Sequence, residues 1–107
     1  MYNYLFYFYT KENPMSVARI TTVTFSSKEA ADTASKSYVS NSPNDFPEAK
    51  QLLGIQADGN ILIAVSLYAD NEAMERASAS RKKVLDSNEE VVSVDTKVGT
   101  VEINHTN

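Results

Sequence analysis

The sequence contains no cysteine, no tryptophan and a single histidine, His105. Without cysteine the chain cannot form a disulfide framework, a thiolate zinc site, an iron–sulfur ligand set or a cysteine nucleophile. One histidine excludes a three-histidine metal site, and a Ser-His-Asp triad within the chain would have to use a residue close to the C-terminus. The sequence therefore predicts no metal site and no cofactor.

Glycine and basic residues are also scarce. The chain has 3 glycines, and no two of them are separated by a single residue, which excludes a GxGxxG dinucleotide-binding fingerprint. Lys+Arg 10 against Asp+Glu 14 give a formal net charge of -4. The one basic run, Arg81-Lys82-Lys83, is therefore interpreted as a solvated helix face, and we predict no nucleic-acid partner.

The remaining composition is that of one globular domain. The chain has 107 residues, of which 42% are hydrophobic and 22% charged, values that exclude a disordered tail and a membrane bundle. A domain of this length buries enough apolar surface for one modest core.

Aromatic residues are concentrated at the N-terminus. Residues 1–9, MYNYLFYFY, hold four of the six tyrosines and two of the four phenylalanines. The segment lacks the basic n-region and cleavage site of a secretory signal and is too short to span a bilayer, so we predict a cytoplasmic protein without a membrane partner. We interpret residues 1–14 as an aromatic arm or extra strand that covers apolar surface. Two alternatives stay open: a lid over an apolar ligand site, and a biological start at Met15.

A single domain over residues 15–107 is predicted to begin with a strand and a helix. β-Branched residues predict a strand over Val17–Phe25. Ser26 and Glu29 match a capping box, which predicts a helix from about residue 27 to residue 40. The polar stretch 41–45 is expected to end it.

A β-hairpin is predicted in the middle of the domain. A short helical turn over Pro47–Lys50 is expected to lead into strands over Gln51–Ala57 and Asn60–Tyr68. Asp58-Gly59 joins the two strands and supplies the positive φ angles that a two-residue hairpin turn needs.

The C-terminal part is predicted to be a helix and a strand. Asp70 or Asn71 caps a helix that runs to about Ser87. A strand follows over Val91–Val98, and Gly99 permits a kink or bulge before the extended structure continues.

This order of elements predicts an α+β protein with the ferredoxin-like βαββαβ motif, an antiparallel sheet with two helices on one face. The strand Asn60–Tyr68 is apolar on both sides, and an exposed apolar sheet face is a liability in water. We therefore predict a symmetric homodimer in which two sheets pack face to face.

The chain resembles the dimeric α+β barrel superfamily, which includes antibiotic-biosynthesis-monooxygenase-like and stress-responsive barrel proteins. The resemblance covers about residues 15–104. It rests on MSVARITTVTFSSKEAADTA, the hairpin GIQADGNILIAVSLYAD, the helix NEAMERASASRKKVL and the strand VVSVDTKVGTVEI. It implies a homodimer whose last strand, after Gly99, reaches across to the partner. Cofactor-free monooxygenases of this group use an asparagine and a tryptophan, and haem-degrading relatives add a histidine; this sequence lacks the tryptophan.

A ligand site is predicted between the helices and the sheet. Small residues are expected to face the sheet, namely Ala30, Ala31, Ala34, Ala73 and Ala77. They either bring the helices close or leave a hole, which would suit an elongated apolar or aromatic molecule. The predicted lining comprises Phe25, Tyr38, Phe46, Leu62, Tyr68 and Met74. Arg19 and Arg81 are candidate partners for a ligand carboxylate because guanidinium offers a bidentate fork.

The leading hypothesis is a small-molecule-binding protein that holds a hydrophobic ligand, such as a fatty or keto-fatty acid, without an assigned catalytic residue. The alternative is a cofactor-independent monooxygenase- or isomerase-like enzyme that uses Tyr38, Tyr68 or Asn60 as polar groups. A third reading is a structural or interaction module with a filled core. Whether the protein is an enzyme is left open.

Overall fold

The computed structural model describes residues 16–107, so the predicted aromatic arm 1–14 lies outside the described residues. The elements are β1 (Val17–Phe25), α1 (Lys28–Asp45), β2 (Gln51–Ala57), β3 (Ile61–Tyr68), α2 (Asn71–Arg76), α3 (Ser78–Asp86) and β4 (Val91–Thr100). The predicted βαββαβ order is confirmed, with the second helix divided into two segments. Across the same residues, no helix is long and apolar enough to cross a membrane.

The four strands form one antiparallel sheet in the order β2-β3-β1-β4. At its centre, Thr21 of β1 lies opposite Ala64 of β3 and Thr96 of β4. Because side chains alternate along a strand, every second residue of β1 points to the same face. The helices cover this face, where Arg19, Thr21, Val23 and Phe25 are buried. The predicted antiparallel sheet with helices on one face is confirmed.

The reverse face of the sheet carries exposed or partly exposed apolar side chains on β1, β2 and β3, whereas β4 places Lys97 and Asp95 on it. Val65 of β3 lies directly opposite Ile20 of β1 and Leu53 of β2, so the three side chains share this face. Ile20 is 39% exposed, and Leu53 and Ile55 are each 48% exposed. An apolar surface at the centre of a sheet is typical of a protein interface.

The core consists of two hydrophobic clusters under the helices. One contains Phe46, Tyr68, Ala73, Met74 and Ala77, and the other contains Val23, Phe25, Ala31 and Leu62. Ala31, Ala73 and Ala77 are buried, so these small residues let the helices pack closely on the sheet. Ala34 is different, because it lines a cavity.

The N-cap of α1 lies one residue later than predicted. Ser27 is the cap, and its hydroxyl accepts a hydrogen bond from the backbone N–H of Ala30 at 3.1 Å. The predicted capping box at Ser26 is wrong, because the Ser26 hydroxyl instead donates to the carboxylate of Glu90 in the loop before β4. The neighbouring Ser27 therefore caps the helix in place of Ser26.

The cap assignment makes a direct prediction about stability. Ser27→Ala is expected to lower the free energy of unfolding by about 1 kcal/mol, because an N–H of the first turn loses its acceptor. Urea unfolding followed by circular dichroism measures this difference. Ser26→Ala is the control and should cost clearly less, since its bond to Glu90 is exposed. Equal losses in the two variants would contradict the assignment.

The C-terminal end of α1 also differs from the prediction. The helix continues past residue 40 to Asp45 and includes Pro43. The backbone N–H of buried Phe46 donates to the Ser42 carbonyl at 2.9 Å, so packing of Phe46 stabilises the last turn and outweighs the proline. The predicted helical turn over Pro47–Lys50 is wrong, because this segment is a turn without a helix.

The predicted hairpin is confirmed, but its connection has three residues instead of two, because Ala57 pairs with Ile61 and β3 begins at Ile61. Asp58 and Gly59 have φ angles of 51° and 80°, in the left-handed region that a tight hairpin connection requires. The second helix is capped by Asp70, whose carboxylate accepts from the Ala73 N–H at 2.9 Å. It breaks at Ala77, so the predicted continuous helix is wrong.

The bulge in the last strand lies at its start and not at Gly99. The register between β1 and β4 shifts at Thr24 and Phe25, whereas pairing runs regularly through Gly99 to Thr100. Beyond the strand, the Val101 N–H donates to the Ser16 carbonyl at 2.8 Å. The strand therefore stays paired with β1 where the sequence predicted an interruption.

Candidate ligand site

A cavity of about 570 Å³ lies between the helices and the sheet. Six of the eight predicted site residues line it: Arg19, Phe25, Tyr38, Phe46, Leu62 and Arg81. The other two, Tyr68 and Met74, do not line it but belong to the hydrophobic cluster around Phe46. A ligand-binding role for these residues stays a prediction.

The cavity exists because small side chains face it from α1. Thr33, Ala34 and Ser37 follow helical spacing and line the same wall. On the opposite side of the cavity, α3 contributes Arg81, Val84 and Leu85, and none of the α3 residues is buried. The space between α1, α3 and the sheet is thus left without a large side chain to fill it.

Tyr38 forms one wall and is held there by close contact with β2. A Cβ atom added to Gly54 would lie 3.1 Å from the Tyr38 ring, so the absence of a side chain lets the ring approach the strand. The same ring borders a second space of about 240 Å³ between α1 and β2. Partial burial raises the pKa of the Tyr38 phenol, so the group is neutral and can exchange hydrogen bonds with a ligand.

Arg19 is buried on the sheet side of the cavity, with 6% exposure. Its Nη2 lies 3.5 Å from the hydroxyl oxygen of Tyr68, a long hydrogen bond. Its guanidinium carbon lies 5.7 Å from the centre of the same ring, which is within cation–π range. Tyr68 therefore acts on the site through Arg19, although it does not itself line the cavity.

Arg81 reaches from α3 to the sheet. Its Nη2 donates to the hydroxyl oxygens of Thr21 at 3.2 Å and Thr96 at 2.6 Å, which lie opposite each other on β1 and β4. Its Nε is buried and has no hydrogen-bond partner among residues 16–107. Burial, and then repulsion from Arg19, lower the Arg81 pKa. Thr21 was not predicted, although its spacing of two from Arg19 places it on the same strand face.

The two arginines have no acidic partner in the part of the chain that the structure describes. The ion pairs found there join Lys28 to Asp32, Arg76 to Glu48, Lys82 to Asp86 and Lys97 to Asp95. Asp45 and Glu89 line the cavity, but neither forms an ion pair with Arg19 or Arg81.

Of the three polar side chains predicted for the enzymatic alternative, only Tyr38 lines the cavity. The Asn60 side chain donates from Nδ2 to the Phe25 carbonyl at 3.2 Å and does not line the cavity. Tyr68 is fully buried, which leaves Tyr38 as the predicted phenol that borders the space. Within residues 16–107, no group of three metal-ligating side chains is assembled.

Comparison with other proteins identifies the fold. No family model matches the sequence, and no curated protein sequence matches it. A dimeric ferredoxin-like protein from an uncultured marine organism superposes with a TM-score of 0.69 at 10% identity, covering 89% of this chain and 95% of that one. The chain has the ferredoxin-like α+β fold.

Two further structures with this ferredoxin-like fold are oxygenases. A monooxygenase of Streptomyces coelicolor, solved with the ligand nanaomycin D, gives a TM-score of 0.65 at 10% identity and covers 87% of this chain and 93% of its own. A cofactor-independent oxygenase from Streptomyces nogalater gives a TM-score of 0.59 at 13% identity, and the match covers 83% of this chain and 95% of the oxygenase. At these identities the similarity establishes the fold.

Proposed function

We propose that the protein binds a hydrophobic small molecule, such as a fatty or keto-fatty acid, in the cavity between the helices and the sheet. The cavity of about 570 Å³ carries this proposal, because small-molecule sites typically have volumes of about 300–1,000 Å³ and mostly apolar walls. Phe25, Phe46 and Leu62 supply apolar contact, and Tyr38 supplies a hydroxyl. This space favours ligand binding over an interaction module with a filled core.

The binding unit in this proposal is a homodimer. The exposed apolar face around Val65 supports it, as does the description of one structural neighbour as dimeric. A cytoplasmic location stays a prediction.

Native mass spectrometry of the purified protein, together with a solvent extract of the same sample, tests the proposal. We expect a co-purifying apolar molecule, or saturable binding of added dodecanoate. A protein that carries no such molecule and binds neither dodecanoate nor dodecanol would overturn it.

Filling the cavity should weaken ligand binding. Ala34→Trp places a large ring into the space that Ala34 borders, and we expect the affinity for dodecanoate to fall at least about tenfold, which isothermal titration calorimetry would measure. Ser40→Trp is the matched control, because Ser40 is exposed on the same helix and does not line the cavity. Equal binding by the two variants would place the ligand elsewhere.

A cofactor-independent monooxygenase- or isomerase-like enzyme is the second candidate. The fold shared with two oxygenases supports it, as does the Tyr38 hydroxyl at the cavity wall. Quinol-like and lactone substrates with product analysis test this candidate. Turnover that Tyr38→Phe reduces would favour the enzyme, whereas binding without turnover would favour a protein that only binds the ligand.

A further inference from the structure

A buried arginine and a partly buried arginine line one cavity, and within the described residues neither is ion-paired there. Arg19 of β1 and Arg81 of α3 both line the space, and neither forms an ion pair with a carboxylate of residues 16–107. A buried charge is costly unless it is paired. Two like charges beside each other add repulsion, so the folded protein alone leaves this pair electrostatically unbalanced.

Hydrogen bonds to two strands of the sheet hold the Arg81 side chain in position. Thr21 and Thr96 come from different strands, and both accept hydrogen bonds from the same Nη2. Through these hydrogen bonds Arg81 links α3 to the sheet. Yet the buried Nε has no acceptor within the described chain. A buried donor of this kind requires an acceptor, which an ordered water or a ligand can supply.

The Arg19 guanidinium contacts Tyr68, and Arg19 also lines the cavity. The ring and hydroxyl of Tyr68 lie against one side of the guanidinium, and the fork of N–H groups has no other hydrogen bond within the described residues. Apolar Phe25 and Leu62 line the same cavity. A single ligand there would meet both a cationic end and an apolar surface.

We propose that Arg19 and Arg81 form a binding subsite for the carboxylate headgroup of an amphipathic ligand, with Thr21 and Thr96 positioning Arg81. This inference rests on the proposed function, and it restricts the ligand class to organic acids with an apolar body. The ligand carboxylate supplies the ion-pair partner that neither arginine has among residues 16–107, and guanidinium binds it through charge-assisted hydrogen bonds. Neutral lipids of equal length lose this contribution.

The test compares dodecanoate with dodecanol by calorimetric titration of the full-length protein at fixed ionic strength. We expect dodecanoate to bind at least about tenfold more tightly. Equal affinities would overturn the headgroup subsite and leave the apolar binding function standing. Binding of neither compound, by a protein that carries no co-purified apolar molecule, would overturn the proposed function as well.

Variants separate a local subsite from general attraction of acids. Arg81→Met and Arg19→Met should each weaken dodecanoate binding at least about tenfold and leave dodecanol within about twofold. Lys82→Met removes the same charge from the neighbouring residue, whose side chain is 77% exposed and paired with Asp86, so it should change neither affinity. Weakening by Lys82→Met equal to that by Arg81→Met would overturn the subsite.

A positioning role is tested on Thr96. Thr96→Val removes the acceptor at 2.6 Å from Arg81 Nη2 without removing charge, and it should weaken dodecanoate binding about threefold while leaving dodecanol unchanged. A merely structural role would affect both ligands alike. This variant, with the wild-type comparison, also keeps the inference testable if an arginine variant fails to fold.

Discussion

Val65→Asp is expected to convert a dimer into an 11.8 kDa monomer. Val65 lies at the centre of the reverse sheet face, opposite Ile20 and Leu53 in the flanking strands. In a symmetric dimer the substitution appears in both copies, so two carboxylates enter one apolar interface. Burial of unpaired charges of like sign costs several kcal/mol, enough to dissociate a dimer at micromolar concentration. Sedimentation equilibrium measures the mass directly.

The matched control changes the same residue type at another surface. Val39 of α1 is 73% exposed and lies outside the reverse sheet face, so Val39→Asp should leave the dimer intact. Circular dichroism should show that both variants stay folded. A wild-type protein that sediments at 11.8 kDa at all concentrations would refute the dimer, and a folded dimeric Val65→Asp would place the interface elsewhere.

The sheet could be predicted from sequence because its signals are local and periodic. The β-branched run of β1 matches the observed bounds Val17–Phe25, and Asp58-Gly59 adopts the positive φ angles expected of a hairpin. The apolar pattern on both sides of β3 predicted that both faces are buried, one under the helices and the other in a homodimer. The helix-covered face is confirmed, and the other is apolar at Ile20, Leu53 and Val65. Tight turns and the alternating pattern of a strand depend mainly on neighbouring residues, so the sequence predicts them well.

Helix ends depended on contacts that local patterns do not contain. Ser26 and Ser27 are both suitable caps, and the bond from Ser26 to Glu90 in a distant loop decides between them. The last turn of α1 persists through Pro43 because Phe46 is buried beside it. Tertiary packing overrides propensity in such places.

The sequence predicted most of the residues that line the candidate site, but it did not predict how they contact one another. Arg19 and Arg81 were identified by their chemistry, and both line the cavity. Tyr68 was predicted to line it but packs beneath Arg19. The pairing of Thr21 with Thr96 around Arg81 requires the register between β1 and β4, which the sequence does not encode locally.

Phe25→Ala is expected to lower the free energy of unfolding by about 3–5 kcal/mol. The side chain is 3% exposed and packs with Val23, Ala31 and Leu62. Its backbone is fixed as well, since the N–H donates to the Asn60 carbonyl at 2.9 Å. Truncation there would join an existing cavity to a new one, so neighbouring side chains cannot collapse to recover the lost contacts. Urea unfolding gives the loss.

Phe25→Leu is the control for volume, and it should cost clearly less because most of the apolar contact is kept. The comparison also tests how the ligand cavity relates to the core. Phe25 belongs to both, so dodecanoate should raise the unfolding midpoint of Phe25→Leu, since a ligand that binds only the folded state stabilises it. A loss below about 1 kcal/mol in Phe25→Ala would mean that the Phe25 side chain contributes little to the core. In that case the cavity would be a loosely packed region and not a preformed site bounded by a rigid wall.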